Sequence, residues 1–85
     1  MNATLARNML NLLQLRSGKR TIVVLANRGQ VIVENIAWGR DFGDEYDHVT
    51  TNSSPPKEGL DIDYFSTAEI EAILEPLTMK VLLKG

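Results

Sequence analysis

Residues Arg20–Ile36 read RTIVVLANRGQVIVENI, and this stretch decides the fold. Two runs rich in Ile and Val, Arg20–Ala26 and Gln30–Ile36, flank Asn27-Arg28-Gly29. β-Branched side chains suit a pleated strand, whereas Asn and Gly suit the turn between strands. A type I turn with Gly29 in the left-handed region closes such runs into a hairpin with a one-residue bulge. In the first run Ile22 and Val24 share one face, and Val23 and Leu25 share the other. A strand that is apolar on both sides belongs in the middle of a sheet or beneath a helix.

Upstream of the hairpin, Ala3–Ser17 reads as an amphipathic helix. Leu5, Met9, Leu12 and Leu13 recur at i, i+4, i+7 and i+8, with Ala6 and Leu10 widening their stripe. Arg7, Asn8, Asn11 and Gln14 fill the opposite side. Asn2 or Thr4 suits the N-cap, and Gly18 suits the residue past the end. Arg16, Lys19 and Arg20 follow, where cations meet the negative end of the helix dipole.

Downstream, residues 39–59 form a long polar and acidic connection containing Gly39, Gly43, Asn52, Ser53, Ser54, Pro55, Pro56 and Gly59. A short strand is expected within it at Tyr46–Thr51, stopped by Pro55-Pro56. Leu60, Ile62 and Tyr64 then alternate with Asp61 and Asp63, which predicts another short strand with one wet face. Ser66 and Glu69 have capping-box spacing, and Phe65 and Ile70 occupy the positions of a hydrophobic staple. Ile70, Ile73, Leu74 and Leu77 at i, i+3, i+4 and i+7 predict a second short helix, which Pro76 ends. Met79, Val81 and Leu83 alternate with Lys80 and Lys84, a final strand whose lysines protect an edge. The expectation is a single α+β domain over residues 1–85 in the order α-β-β-(β)-β-α-β. Its mainly antiparallel sheet is built on the hairpin and covered by the N-terminal helix and the second short helix.

The charge is divided along the chain. Residues 1–33 carry Arg7, Arg16, Lys19, Arg20 and Arg28 and no acid, hence +5. Residues 34–85 carry four basic and eleven acidic side chains, hence −7, and the two halves give the net −2. Such asymmetry bears on association and partners rather than on fold. The absence of cysteine excludes a disulfide framework, thiolate metal ligands and a cysteine nucleophile. No apolar run approaches the roughly 20 residues of a membrane span. The chain therefore reads as a cytoplasmic protein with no membrane contact.

Candidate chemistry concentrates between Trp38 and His48. Asp41, Asp44, Glu45, Asp47 and His48 offer five metal-ligand types within eight residues. Their spacing is not that of a calcium loop, and zinc sites bring more than one His or Cys. A solvated acidic loop is the plainer reading, and no metal or cofactor is assigned. His48, the only histidine, sits beside Asp47, but neighbours on a strand point to opposite faces. A metal-dependent enzyme at Asp47 and His48 therefore ranks third among the functional readings.

The second reading is nucleic-acid binding through Arg16, Lys19, Arg20 and Arg28, with dimerisation joining the patch. Arg28 at the hairpin tip lies about eight strand residues, or roughly 26 Å, from the others at about 3.3 Å per residue. The first reading is a small non-enzymatic protein-interaction module whose partner is another protein or a second copy of itself. Trp38, Arg40, Phe42 and Tyr46 are residue types enriched in binding hot spots. Asp41, Asp44, Glu45 and Asp47 supply a negative rim that speeds encounter with a positive partner. One concrete form is an acidic inhibitor or regulator, of the kind carried by a phage or mobile element. It would occupy the nucleic-acid groove of a host protein.

Overall fold

The hairpin forms as the sequence requires, but its second arm breaks in the middle and serves two sheets. The computed structural model describes residues 2–26, 29–40, 42–43, 45–52 and 63–85. Strand β1 (Thr21–Leu25) pairs antiparallel with β2 (Gly29–Val33), from Thr21 opposite Val33 to Leu25 opposite Gly29. Gly29 has φ +77°, the left-handed conformation that the hairpin demands of it. Asn27 and Arg28, expected to complete the turn, lie outside the described residues. Apolar on both faces, β1 is an inner strand of a four-stranded sheet ordered β2-β1-β6-β7.

The arm expected to run from Gln30 to Ile36 turns at Glu34. β3 (Asn35–Gly39) leaves the first sheet and pairs with β4 (His48–Asn52), which pairs with β5 (Asp63–Ser66). A 3-10 turn at Thr67–Glu69 then returns the chain to the first sheet as β6 (Ile70–Leu74), and β7 (Val81–Lys84) completes that sheet. The two antiparallel sheets therefore share two corners, one at Glu34 and one at Thr67–Glu69. The chain passes from the first sheet to the second between β2 and β3 and returns between β5 and β6, with no strand pairing between the two sheets among the described residues. Strands that switch sheets at bends are how a small β-structure encloses a core on more than one side. Among the described residues the architecture is α+β, one helix and seven strands with the helix first.

Helix α1 (Ala3–Leu15) covers this core. Asn2 is its cap, its Oδ1 accepting from the Leu5 N–H at 2.7 Å. Ala6, Met9, Leu10 and Leu13 are buried. Met9, Leu10 and Leu13 meet Val23, Leu25 and Val33 of the hairpin, Val49 of β4, Phe65 of β5, and Ile70 and Ile73 of β6 in one cluster. Each large side chain withdrawn from water there contributes about 1.5–3 kcal/mol. The loop after α1 is fixed to the first corner, because the Gly18 N–H donates to the Glu34 carbonyl at 2.7 Å. Gly18 has φ +92°, which explains glycine at this position.

The second helix is replaced by a turn and a strand. The capping box forms as its spacing predicts: the Ser66 N–H donates to Glu69 Oε2 at 2.8 Å, and Ser66 Oγ accepts from the Ala68 N–H at 3.2 Å. It starts only one 3-10 turn, and Ile70 is already extended at φ −75°, ψ 121°. Two physical reasons account for this. Between Ser66 and Pro76 a helix has no more than nine residues, too few to be stable without strong packing. On its other side, β1 offers an unpaired edge that Ile70–Leu74 can occupy. The helical spacing of Ile70 and Ile73 comes from a bulge: Ala72 opposes Val24 and Ile70 opposes Leu25, so Glu71 is an extra residue. With that insertion, i and i+3 reach the same inner face of a strand.

Smaller differences follow the same logic. The strand expected at Tyr46–Thr51 is His48–Asn52. The one expected at Leu60–Tyr64 is described from Asp63 onward and runs to Ser66. Leu60, Asp61 and Ile62, like Pro55 and Pro56, lie outside the described residues. The last strand begins at Val81, with Met79 in the preceding turn, and stands at a sheet edge with Lys84 exposed. No helix among the described residues is long and apolar enough to cross a membrane.

Candidate functional site

The aromatic residues are distributed unevenly. Of the five in the chain, only Phe65 is in the core. Trp38 stands opposite Val49, which stands opposite Phe65, so all three face inward from sheet β3-β4-β5. Val49 on the central strand and Phe65 on the edge strand β5 are fully buried, whereas Trp38 on the other edge strand, β3, overhangs the rim of the core, 51% exposed. The sequence admits either a core or a surface role for this side chain, and its position at the edge gives it both. Phe42 is fully exposed in the turn after β3, where Gly43 takes φ +91°.

The other face of the same sheet carries His48, Tyr64 and Ser66. His48 opposes Ser66 and Thr50 opposes Tyr64, so His48 and Tyr64 are diagonal neighbours on adjacent strands. Their rings stack with centroids 5.1 Å apart and planes inclined by 30°. Together with Glu45, Tyr46 and Ser66 they line a cleft of about 210 Å³. Gly39 opposes His48 on β3, and a methyl group added there would lie 3.5 Å from His48 Nε2. Such a methyl group would make ordinary van der Waals contact with the ring. Tyr46 therefore belongs with Tyr64 on the outer face, while Trp38 belongs to the inner rim. Tyr64 is the candidate residue that strand alternation alone does not single out. Its significance depends on pairing with a strand more than ten residues away.

Arg40 and Asp47 do not stand as isolated charges. Arg40 Nε donates to Asp47 Oδ1 at 3.3 Å, and Arg7 Nη2 on α1 lies 3.9 Å from Asp47 Oδ2. The Asp47 side chain is only 14% exposed. Its backbone carbonyl accepts from the Thr67 N–H at 2.9 Å and from Thr67 Oγ1 at 3.0 Å. Asp47 thus joins α1, the end of β3 and the second corner, and its carboxylate is matched by the protein's own cations. Glu45 is exposed. Asp41 and Asp44, the other proposed rim residues, lie outside the described residues.

The two remaining sets of candidates are arranged differently. The Asp47 carboxylate faces Arg40 and Arg7, whereas the His48 ring faces Tyr64. Among the described residues no three His, Cys, Asp or Glu side chains gather as metal ligands. Of the basic set, Lys19 and Arg20 are exposed. Arg16 is turned onto its own loop, its Nε donating to Thr21 Oγ1 at 2.8 Å and its Nη2 to the Arg20 carbonyl at 3.0 Å. Arg28 lies outside the described residues.

A second surface is legible only in the strand register. Ile32, Ile22, Leu74 and Val81 stand side by side across all four strands of sheet β2-β1-β6-β7. They occupy the face opposite Val23 and Ile73, away from α1. Ile22 is buried by its neighbours, but Ile32 at the edge is 64% exposed. The molecule is thus a helix-covered pair of corner-sharing antiparallel sheets with an aromatic surface on one sheet and an aliphatic row on the other. No protein-family model matches the chain, and no curated protein or solved structure matches it significantly.

Proposed function

We propose that this protein is a small docking module that binds another protein through sheet β3-β4-β5 and the β3–β4 connection. The observation that carries this reading is the placement of the aromatic residues. Trp38, Phe42 and Tyr64 are more than half exposed, although a chain of this size has few large apolar side chains to spare from its core. Trp and Tyr at a surface are the residue types that supply most binding energy when a partner covers them. The surrounding sequence is acidic, with Asp41, Asp44 and Glu45 in the connection, which favours encounter with a basic protein surface. An inhibitor or regulator of a nucleic-acid-handling protein is the concrete form, since the partner's phosphate-binding groove is such a surface.

The test is affinity capture by the wild type beside Trp38→Ala and Phe42→Ala, followed by direct titration of the captured protein in purified form. A partner whose affinity falls about tenfold or more in either variant supports the reading, a loss of the size expected for hot-spot truncation. Partners that bind all three proteins equally overturn it.

A second reading has its own observation in the aliphatic row Ile32-Ile22-Leu74-Val81. A second copy of the chain is its natural cover, because an apolar stripe spanning a whole sheet can match itself about a two-fold axis. Molecular mass in solution decides between monomer and dimer.

A further inference from the structure

Resting on the docking reading above, we infer that the cleft lined by Tyr46, His48 and Tyr64 receives the guanidinium group of an arginine on the partner protein. Aromatic rings present a negative face to a cation, and the attraction is useful within about 6 Å of the ring centre. Here two tyrosines, His48 and the acidic residue Glu45 line one small space. Its volume of about 210 Å³ decides the size of the guest. Clefts that hold a metabolite or a drug-sized molecule span roughly 300–1,000 Å³. This one suits the end of a single side chain.

Charge decides the sign of the guest. Glu45 lies at the cleft, and Asp41 and Asp44 precede it in a segment without lysine. A phosphate-bearing base could stack on the same rings, but its phosphate would meet the negative charge of Glu45. Shape decides between the two common cations. The His48–Tyr64 pair offers stacked flat rings, which suit a planar, weakly hydrated guanidinium better than the compact, strongly hydrated ammonium of lysine. The walls are pre-positioned, since His48 and Tyr64 sit on adjacent hydrogen-bonded strands. The guest then enters with little ordering of the host.

The test uses the intact protein and three capped tripeptides, Gly-Arg-Gly, Gly-Lys-Gly and Gly-citrulline-Gly, with the ring proton resonances of Tyr46, His48 and Tyr64 as the readout. The arginine peptide should shift these signals saturably, the lysine peptide should bind more weakly, and the neutral citrulline peptide should leave them unmoved. Tyr64→Phe should retain binding, whereas Tyr64→Leu and Glu45→Gln should each weaken it by roughly three- to tenfold, the range of an exposed cation–π or ion-pair contact. Equal shifts with citrulline, stronger shifts with a nucleoside monophosphate, or arginine shifts confined to Trp38 would each overturn the inference. Should Tyr64→Leu fail to fold, the wild-type titrations are enough to decide between these outcomes. Failure here is separable from failure of the docking reading. A partner lost with Trp38→Ala but bound fully by Tyr64→Leu removes the arginine cleft and leaves the docking surface standing.

Discussion

The backbone carbonyl of Asp47 accepts two hydrogen bonds from one residue, Thr67, through its N–H at 2.9 Å and its hydroxyl at 3.0 Å. Thr67 begins the 3-10 turn that carries the chain from one sheet to the other, and Asp47 immediately precedes β4. This pair therefore holds a corner of the fold against the strand that positions His48. Thr67 is almost wholly buried. Thr67→Val keeps the side-chain shape and leaves the carbonyl its N–H donor. A stability loss of about 1 kcal/mol is expected in urea unfolding, the usual contribution of one hydrogen bond. No change would mean that water replaces the hydroxyl and that the corner does not depend on it.

Asp47→Asn examines the other end of the same residue. The carbonyl bonds remain while the charge facing Arg40 and Arg7 is removed. Both arginines are about half exposed, so solvent screens the interaction. The expected loss is below about 1 kcal/mol and should shrink in high salt. A loss clearly larger than that of Thr67→Val would show that the carboxylate, rather than the carbonyl, organises this junction.

Met79 takes φ 59° in the turn between β6 and β7, a left-handed conformation unfavourable for a residue with a side chain. Its side chain is half exposed, so little packing depends on it. Met79→Gly should raise stability by up to about 1 kcal/mol, the glycine relieving more strain than it adds in unfolded-chain entropy. Met79→Val should lower stability, because β-branching makes the same backbone angle harder to adopt. The two midpoints moving in the same direction would refute this account of the turn.

The sequence makes some of these features plain and conceals others for physical reasons. The hairpin, the helix face and the Ser66–Glu69 capping box are local, and local spacing reveals them. The corner at Glu34 is hard to see, because no Gly or Pro marks it and its only local trace is that Ile36 follows Val33 at a spacing of three rather than two. What holds that corner is the Gly18 N–H, a contact from another part of the chain. The strand Ile70–Leu74 is concealed more actively. The extra residue Glu71 gives it a helical i, i+3 spacing, and only the free edge of β1 decides in favour of a strand. In the candidate site, composition reveals the hot-spot residue types but not their faces. Trp38 turns toward the core rim, while Tyr46 joins His48 and Tyr64 on the opposite side.

The same turn that strains Met79 contains a pH-sensitive bond. The Thr78 N–H, the Leu77 N–H and the Thr78 hydroxyl, in that order, hold the Glu75 carboxyl below its ordinary value of 4.5, with Arg16 adding a smaller attraction. Thr78 donates to Glu75 Oε2 at 2.8 Å from its N–H and at 2.9 Å from its hydroxyl. A carboxyl whose pKa is lower when folded stabilises the protein above its unfolded value and loses that contribution as pH falls through the folded value. Wild type should therefore exceed Glu75→Gln in urea midpoint at neutral pH. The gap should close between about pH 5 and pH 3, the region below the ordinary glutamate range. A gap independent of pH would assign the effect to packing rather than to charge.

The aliphatic row allows a prediction in which stability and association move independently. Ile32 is exposed at the edge of β2, so Ile32→Lys should leave monomer stability within about 0.5 kcal/mol, as surface substitutions usually do. If two copies bury the row Ile32-Ile22-Leu74-Val81 against each other, the lysine places an unpaired charge in an apolar contact. Sedimentation should then show a wild-type dimer that persists in high salt, since its driving force is apolar, and a monomeric Ile32→Lys whose thermal midpoint matches that of wild type diluted until it too is monomeric. A dimer that dissociates with salt would instead point to the opposed charges of residues 1–33 and 34–85. A wild-type monomer at every concentration would leave the aromatic sheet as the interaction surface to pursue.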